Sequence, residues 1–151
     1  MKKFNKILFA TDLTKFSEYA FDYALALAKE FNAKLIILHV INQPIDLRGF
    51  YVPHISFETI MQEIAKSAEK MMDEFCIKKI KGYDNYEQFI VSGIPDLEIL
   101  NKADTEKVDL IVIGTHGRVG VDRFLFGSTA EKVVRKAVCP VMTVRPPEIK
   151  A

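Results

Sequence analysis

The sequence lacks the marks of several large protein classes. No apolar run approaches the ~20 residues that a membrane-spanning helix needs, and after Met1-Lys2-Lys3 the first apolar run covers only Ile7 to Ala10. A secretory signal calls for roughly 7–15 apolar residues and a small-residue cleavage site. A cytoplasmic protein is therefore expected, with no membrane among its partners. Cysteine is scarce: Cys76 and Cys139 are the only two. Neither belongs to a Cys/His cluster of zinc spacing, and His39, His54 and His116 are scattered, which argues against a protein-ligated metal. Each cysteine stands beside apolar residues, so buried free thiols are expected in such a compartment. An excess of one charge is missing as well. The 21 basic and 20 acidic residues are interspersed and leave a net charge of +1, whereas nucleic acid as a partner calls for a basic patch. Two phosphate-binding fingerprints are absent. There is no G-x-x-x-x-G-K-[ST] and no G-x-G-x-x-G after the first strand. The common P-loop NTPase is excluded, and a standard dinucleotide fold is unsupported.

What is present is a folded domain. At 151 residues, 49% of them apolar, the chain suits one domain spanning 1–151 with a substantial core. Strand and helix patterns alternate. Ile7 to Ala10 is a short apolar run and reads as strand 1, buried on both faces. Thr14 or Ser17 can cap the helix that follows. Phe16, Ala20, Ala24, Leu27, Ala28 and Phe31 recur there at helical spacing, and Asn32 is a plausible stop. Leu35 to Ile41 is strand 2. His39 inside it is expected to be a buried, hydrogen-bonded imidazole rather than a catalytic one, since no nucleophile stands beside it. Asn42 to Ser56, with Pro44, Gly49 and Pro53, is a loop. There Phe50 and Tyr51 either cover a ligand or tuck against the surface. A second helix carries a long apolar stripe from Phe57 through Ile60, Met61, Ile64, Ala65, Ala68, Met71 and Met72 to Phe75, read as core. Tyr86, Phe89, Ile90 and Val91 form strand 3, of mixed exposure and so an edge. Ile94-Pro95 starts helix 3, with Leu97, Leu100 and Ala103 as its apolar face.

The stretch from Val108 to Val144 organises the chain. Leu110 to Ile113 is a buried strand ending at Gly114. A loop follows with Thr115, His116, Gly117, Arg118, Gly120 and Arg123. Gly127-Ser128-Thr129 opens a helix that leads to a last strand, Val141 to Val144. Glycine lets the backbone approach a ligand closely. The first turn of a helix has free N–H groups and the positive end of its dipole. Together these make an anion site. The bland alternative stays open at this point: Gly114 and Gly117 form a tight turn, and Gly127-Ser128 merely caps a helix.

The spacing Gly114, two residues, Gly117, nine residues, Gly127-Ser128 resembles the nucleotide-binding pattern of the universal stress protein family. The resemblance covers nearly the whole chain. It includes Asp12 after the first strand and Pro140-Val141 before the last. It implies an α/β domain with a doubly wound, five-stranded parallel sheet of order 3-2-1-4-5 and helices on both faces. Chain order would then reverse between strands 1 and 4, the kind of switch point where open α/β sheets bind ligands. The implied ligand is ATP, with ADP or AMP as possibilities and Mg²⁺ or Mn²⁺ held through phosphates. Ala10, Thr11 and Val40 would line the base pocket, and Asp12 would accept hydrogen bonds from ribose or adenine. The bland alternative for Asp12 is that it only forms a turn. Gly114 would allow the ribose close. Gly117, Arg118, Gly127, Ser128 and Thr129 would hold phosphates. The family also implies a homodimer paired through Val141, Met142, Thr143 and Val144, and a role in stress responses read by an unidentified protein partner. Phosphoryl transfer needs a positioned attacking group, and no residue is singled out for that. A nucleotide-dependent regulatory module is therefore expected, with a slow ATP hydrolase or phosphotransferase as the alternative.

Overall fold

Along the central strands, odd- and even-numbered apolar residues must point to opposite faces. A strand that is apolar at every position therefore needs a cover on each side. The computed structural model, which describes residues 2–42, 56–115 and 127–147, supplies both covers. Its elements run β1 (Lys6–Thr11), α1 (Lys15–Phe31), β2 (Lys34–Asn42), α2 (Phe57–Lys79), β3 (Tyr86–Gly93), α3 (Pro95–Thr105), β4 (Leu110–Gly114), α4 (Ser128–Lys136) and β5 (Val141–Val144). The strands form one five-stranded sheet in the order β3-β2-β1-β4-β5, and every pairing is parallel. This is the expected doubly wound α/β architecture, with β3 at an edge as its mixed exposure implied.

The two faces are distinct cores. Ile7 and Phe9 of β1, Leu35 and Ile37 of β2, and Leu110 and Val112 of β4 pack with Ala20, Phe21, Ala24 and Ala28 of α1 and with Met72, Phe75 and Cys76 of α2. Leu8, Ala10, Ile36, Leu38, Ile111 and Ile113 pack on the other side with Ile99 and Ala103 of α3 and Ala130 and Val133 of α4. Small residues on α1 let the helix settle close to the sheet. Phe9, Phe21 and Phe75 fill the space beneath it as a three-ring cluster.

Helix ends follow the local chemistry. Thr14, not Ser17, caps α1, and Asn32 closes it in the left-handed conformation at φ 52°. Asparagine tolerates that region better than most residues. Ser56 caps α2. Pro95 sits at the start of α3, where a missing N–H costs nothing.

Three expectations need correction. Of the α2 stripe, only Ala68, Met72 and Phe75 are buried, with Cys76 added, while Phe57, Ile64 and Met71 are exposed. The helix also runs on past Phe75 through Lys79. On α3, Leu97 is 48% exposed, and Ile99 takes the core position instead. Spacing of i, i+4 from Ile99 to Ala103 defines that face, and Leu97 in the first turn falls off it. Of the two thiols, Cys76 is buried as expected, but Cys139 is only half-buried. The expected loop of residues 42–56 falls, at 43–55, outside the described residues.

Burial pushes the Cys76 thiol up to about 11, with Asp73 nearby acting in the same direction. Burial also raises that of Cys139. Only the thiolate is nucleophilic, so alkylation with iodoacetamide at pH 8 should modify Cys139 first. Cys76 should react only once the protein unfolds. The sign for stability follows. A folded-state value above the unfolded one means that the native state holds its proton longer, so stability falls as pH rises from the ordinary thiol value toward about 11. Mass spectrometry of the alkylated protein checks the order of reaction. Equal labelling of both thiols in the folded state would contradict it.

Candidate functional site

The carboxyl ends of β1, β2 and β4 bring the candidate residues together. β1 lies between β2 and β4, with Thr11 opposite His39 and Ala10 opposite Ile113. Sequence order reverses between β1 and β4, which makes this the switch point of the sheet. Ala10 belongs to the core on the α3/α4 side, and Val40 packs against that same core. The two residues therefore share a face, and that face is the one α4 covers.

The turn after β1 is held by its own short side chains. Thr11 Oγ1 accepts from the N–H of Leu13, at 2.9 Å. Asp12 Oδ1 accepts from the N–H of Thr14 at 3.0 Å and from its hydroxyl at 2.5 Å. Ser17 Oγ, buried under the turn, accepts from the N–H of Asp12, at 3.2 Å. Leu13 is driven to φ 64°, a conformation costly for a residue with a Cβ. Asp12 thus plays the turn-forming part, yet it does so with one oxygen. Its Oδ2 has no hydrogen-bond partner among the described residues.

The second wall comes from β4 and α4. Gly114 ends β4 opposite Val144 of β5, and the next residue, Thr115, donates its N–H to the Val144 carbonyl, at 3.0 Å. The carbonyl of Thr115 then accepts the N–H of Gly127, at 2.6 Å. This clasp joins residues 115 and 127 and sets the start of α4 at the tip of β4. Closeness rather than φ favours glycine at 127. A Cβ built on it would stand 3.1 Å from the Thr115 carbonyl oxygen.

Gly127 brings no capping side chain to α4. Among the described residues no side chain is seen to cap the first-turn N–H groups of that helix. They retain the dipole and the donors that bind anions. Ser128 is exposed and Thr129 half-buried at this terminus, so both hydroxyls stand at the start of the helix. Gly117 and Arg118 lie outside the described residues. Ala10, Thr11, Asp12, Val40, Gly114, Gly127, Ser128 and Thr129 all lie at the carboxyl end of the sheet.

Sequence reasoning expected His39 only to be satisfied. The structure places it next to Thr11, with Nδ1 2.8 Å from the Thr11 carbonyl oxygen. No sequence spacing signals that contact. A separate groove of about 290 Å³, lined by Leu100, Ala103, Val108, Ile111 and Cys139 among others, lies where α3 and α4 end. That is the opposite pole of the sheet. Among the described residues no group of three His, Cys, Asp or Glu side chains stands close enough to hold a metal ion. No helix there is long and apolar enough to cross a membrane.

Comparison with known proteins agrees with this frame. The family model described as "Universal stress protein family" matches residues 3–145. Universal stress protein YxiE of Bacillus subtilis is 37% identical over 147 residues, covering 94% of this chain and 99% of its own. Among solved structures, protein MJ0577 superimposes with a TM-score of 0.84 at 27% identity, over 98% of this chain and 100% of that one. MJ0577 is a universal stress protein of Methanocaldococcus jannaschii. A universal stress protein in complex with cAMP superimposes with a TM-score of 0.60 at 26% identity, over 95% of this chain and 98% of its own.

Proposed function

The chain belongs to the universal stress protein family, and from that membership and the geometry of its switch point we propose that it is an ATP-binding regulatory protein of the stress response, acting as a nucleotide-dependent homodimer in the cytoplasm. The observation that carries the reading is the Thr115–Gly127 clasp, which sets a helix start without a capping side chain at the tip of β4, the strand next to β1 in the sheet. That is where a polyphosphate needs donors. Ala10 and Val40, on the face that α4 covers, offer an apolar wall for a base. Thr11 stands at the same strand tip. Asp12 Oδ2 is an acceptor for ribose hydroxyls, and Gly114 leaves room for the sugar to approach. Gly117, Arg118, Ser128 and Thr129 complete the phosphate seat. The cAMP bound by a solved relative supports an adenine nucleotide in this fold, so ADP and AMP are ligands of the same class. Mg²⁺ or Mn²⁺ would be held by phosphate oxygens and water, as hard cations are in nucleotide sites.

Binding is preferred to hydrolysis. A hydrolase needs a base or a water-positioning group. Asp12 is the acid at this pole that the sequence placed in the pocket, and its Oδ1 is already engaged by Thr14. The dimer rests on β5, the last strand of the sheet. Antiparallel pairing of Val141, Met142, Thr143 and Val144 with a second copy would satisfy that edge. A partner protein would then read the state of the loaded dimer.

Mass spectrometry tests the reading on protein purified without added ligand. Acid release should yield adenine nucleotide, and the native mass should be that of a dimer. In a single-turnover assay ATP should remain largely intact. Rapid ADP formation, lost in Gly117→Val, would overturn the preference for binding and make the protein a hydrolase.

A further inference from the structure

Between Leu35 and Ile41 of β2, His39 is the one polar side chain. It stands between Leu38 and Val40 and is 5% exposed. Burying an imidazole is unfavourable unless its nitrogens are bonded. Its Nδ1 lies 2.8 Å from the carbonyl oxygen of Thr11. A carbonyl oxygen only accepts, so Nδ1 carries the hydrogen and the tautomer of the neutral ring is fixed.

Thr11 is where β1 leaves the sheet. Its last rung with β4 is Ala10 opposite Ile113, and its last with β2 is Thr11 opposite His39 itself. Beyond that rung the chain enters the strained turn at Leu13, φ 64°. Thr11 Oγ1, Asp12 Oδ1 and Ser17 Oγ hold the amide hydrogens of that turn. The carbonyl that precedes the turn is held by the imidazole. We infer that His39 is a positioning residue for the nucleotide cleft, pinning the end of β1 through its Nδ1–H so that Ala10 and Asp12 stand correctly relative to Val40. One ring ties the two strand tips that would flank the base. An aliphatic residue would fill the same volume but leave the buried carbonyl without this donor.

The inference rests on the adenine-nucleotide reading above, and the experiment separates the two. An asparagine amide nitrogen lies about where Nδ1 does, whereas a glutamine reaches instead toward the place of Nε2. Calorimetry with Mg·ATP on His39→Asn, His39→Gln and His39→Leu should find Asn close to the parent. Gln and Leu should be weaker by about tenfold or more, the ratio that loss of one buried hydrogen bond supports. In nucleotide-free protein, ¹⁵N NMR should find the parent ring protonated at Nδ1. The amide signals of Asp12 and Leu13 should move in His39→Gln but stay in place in His39→Asn. Three variants that all bind like the parent would overturn the inference, as would Asn as weak as Leu. A ring protonated at Nε2 alone overturns it even if no variant folds. If the parent itself binds no nucleotide, the functional reading fails, and the amide signals still decide whether His39 sets the turn.

Discussion

Gly127→Val should weaken ATP binding by about a hundredfold or more, a loss of roughly 2.7 kcal/mol, while the far-UV CD spectrum stays native. The reason is local. A Cβ at residue 127 would stand 3.1 Å from the Thr115 carbonyl oxygen, closer than an ordinary contact. That oxygen has little room to move. It accepts the Gly127 N–H at 2.6 Å, and the same residue donates its own N–H to Val144 in β5. Valine therefore forces the start of α4 away from the tip of β4. The five strands should keep their fold, because among the described residues the added Cβ meets only the Thr115 backbone. Overpacking of this kind costs about 1–3 kcal/mol, so the variant should fold with a lowered midpoint. Gly127→Ala adds only the Cβ and should fall between the two. Calorimetry with Mg·ATP reads the effect, and parental affinity in the valine variant would place the phosphate seat elsewhere.

The largest loss of stability should come from Phe21→Ala, at about 3–5 kcal/mol. Phe21 is fully buried. Its ring meets that of Phe9 edge-on at 5.2 Å and that of Phe75 at 5.0 Å. Such pairs contribute about 0.5–1.5 kcal/mol beyond the area they bury. The neighbours cannot collapse into the space, since Phe9 lies on a central strand and Phe75 on a different helix. Tyr23, on the same helix and 41% exposed, is the control, and Tyr23→Ala should lose no more than about 1 kcal/mol. Urea unfolding of the two variants gives the comparison. Equal losses would mean that α1 does not seat on the sheet through Phe21.

Phe21 also marks where sequence reading stops. The α1 stripe drawn from Phe16, Ala20, Ala24, Leu27, Ala28 and Phe31 captured the small residues but not the aromatic that fills the core. The buried line is Ser17, Phe21, Ala24 and Ala28, with Ala20 beside it. Phe16, Leu27 and Phe31 flank it, half-buried. Spacing shows which residues face one way, but not which part of a broad apolar arc meets the sheet. For α2, the stripe drawn from Phe57 to Phe75 could not say how far the partner surface extends. Only the stretch from Ala68 to Cys76 reaches it. The strands were plain because the central ones are apolar at every position. Their order was implied by family resemblance, since periodicity carries no information about neighbours.

The candidate site divides in the same way. Asp12 and Gly127-Ser128 were legible because each follows or begins an element, and elements end where the chemistry changes. The bond from His39 to the Thr11 carbonyl spans 28 residues and exists only once two strands lie side by side. The clasp between Thr115 and Gly127 is likewise a product of folding, although the glycine in it was visible. Gly117 and Arg118, both expected to hold phosphates, lie outside the described residues.

Titration calorimetry of the parent protein with ATP in the presence of Mg²⁺ tests the central claim most directly. One nucleotide should bind per chain, with a matching rise in melting temperature. No heat and no thermal shift at millimolar ATP would contradict the nucleotide seat.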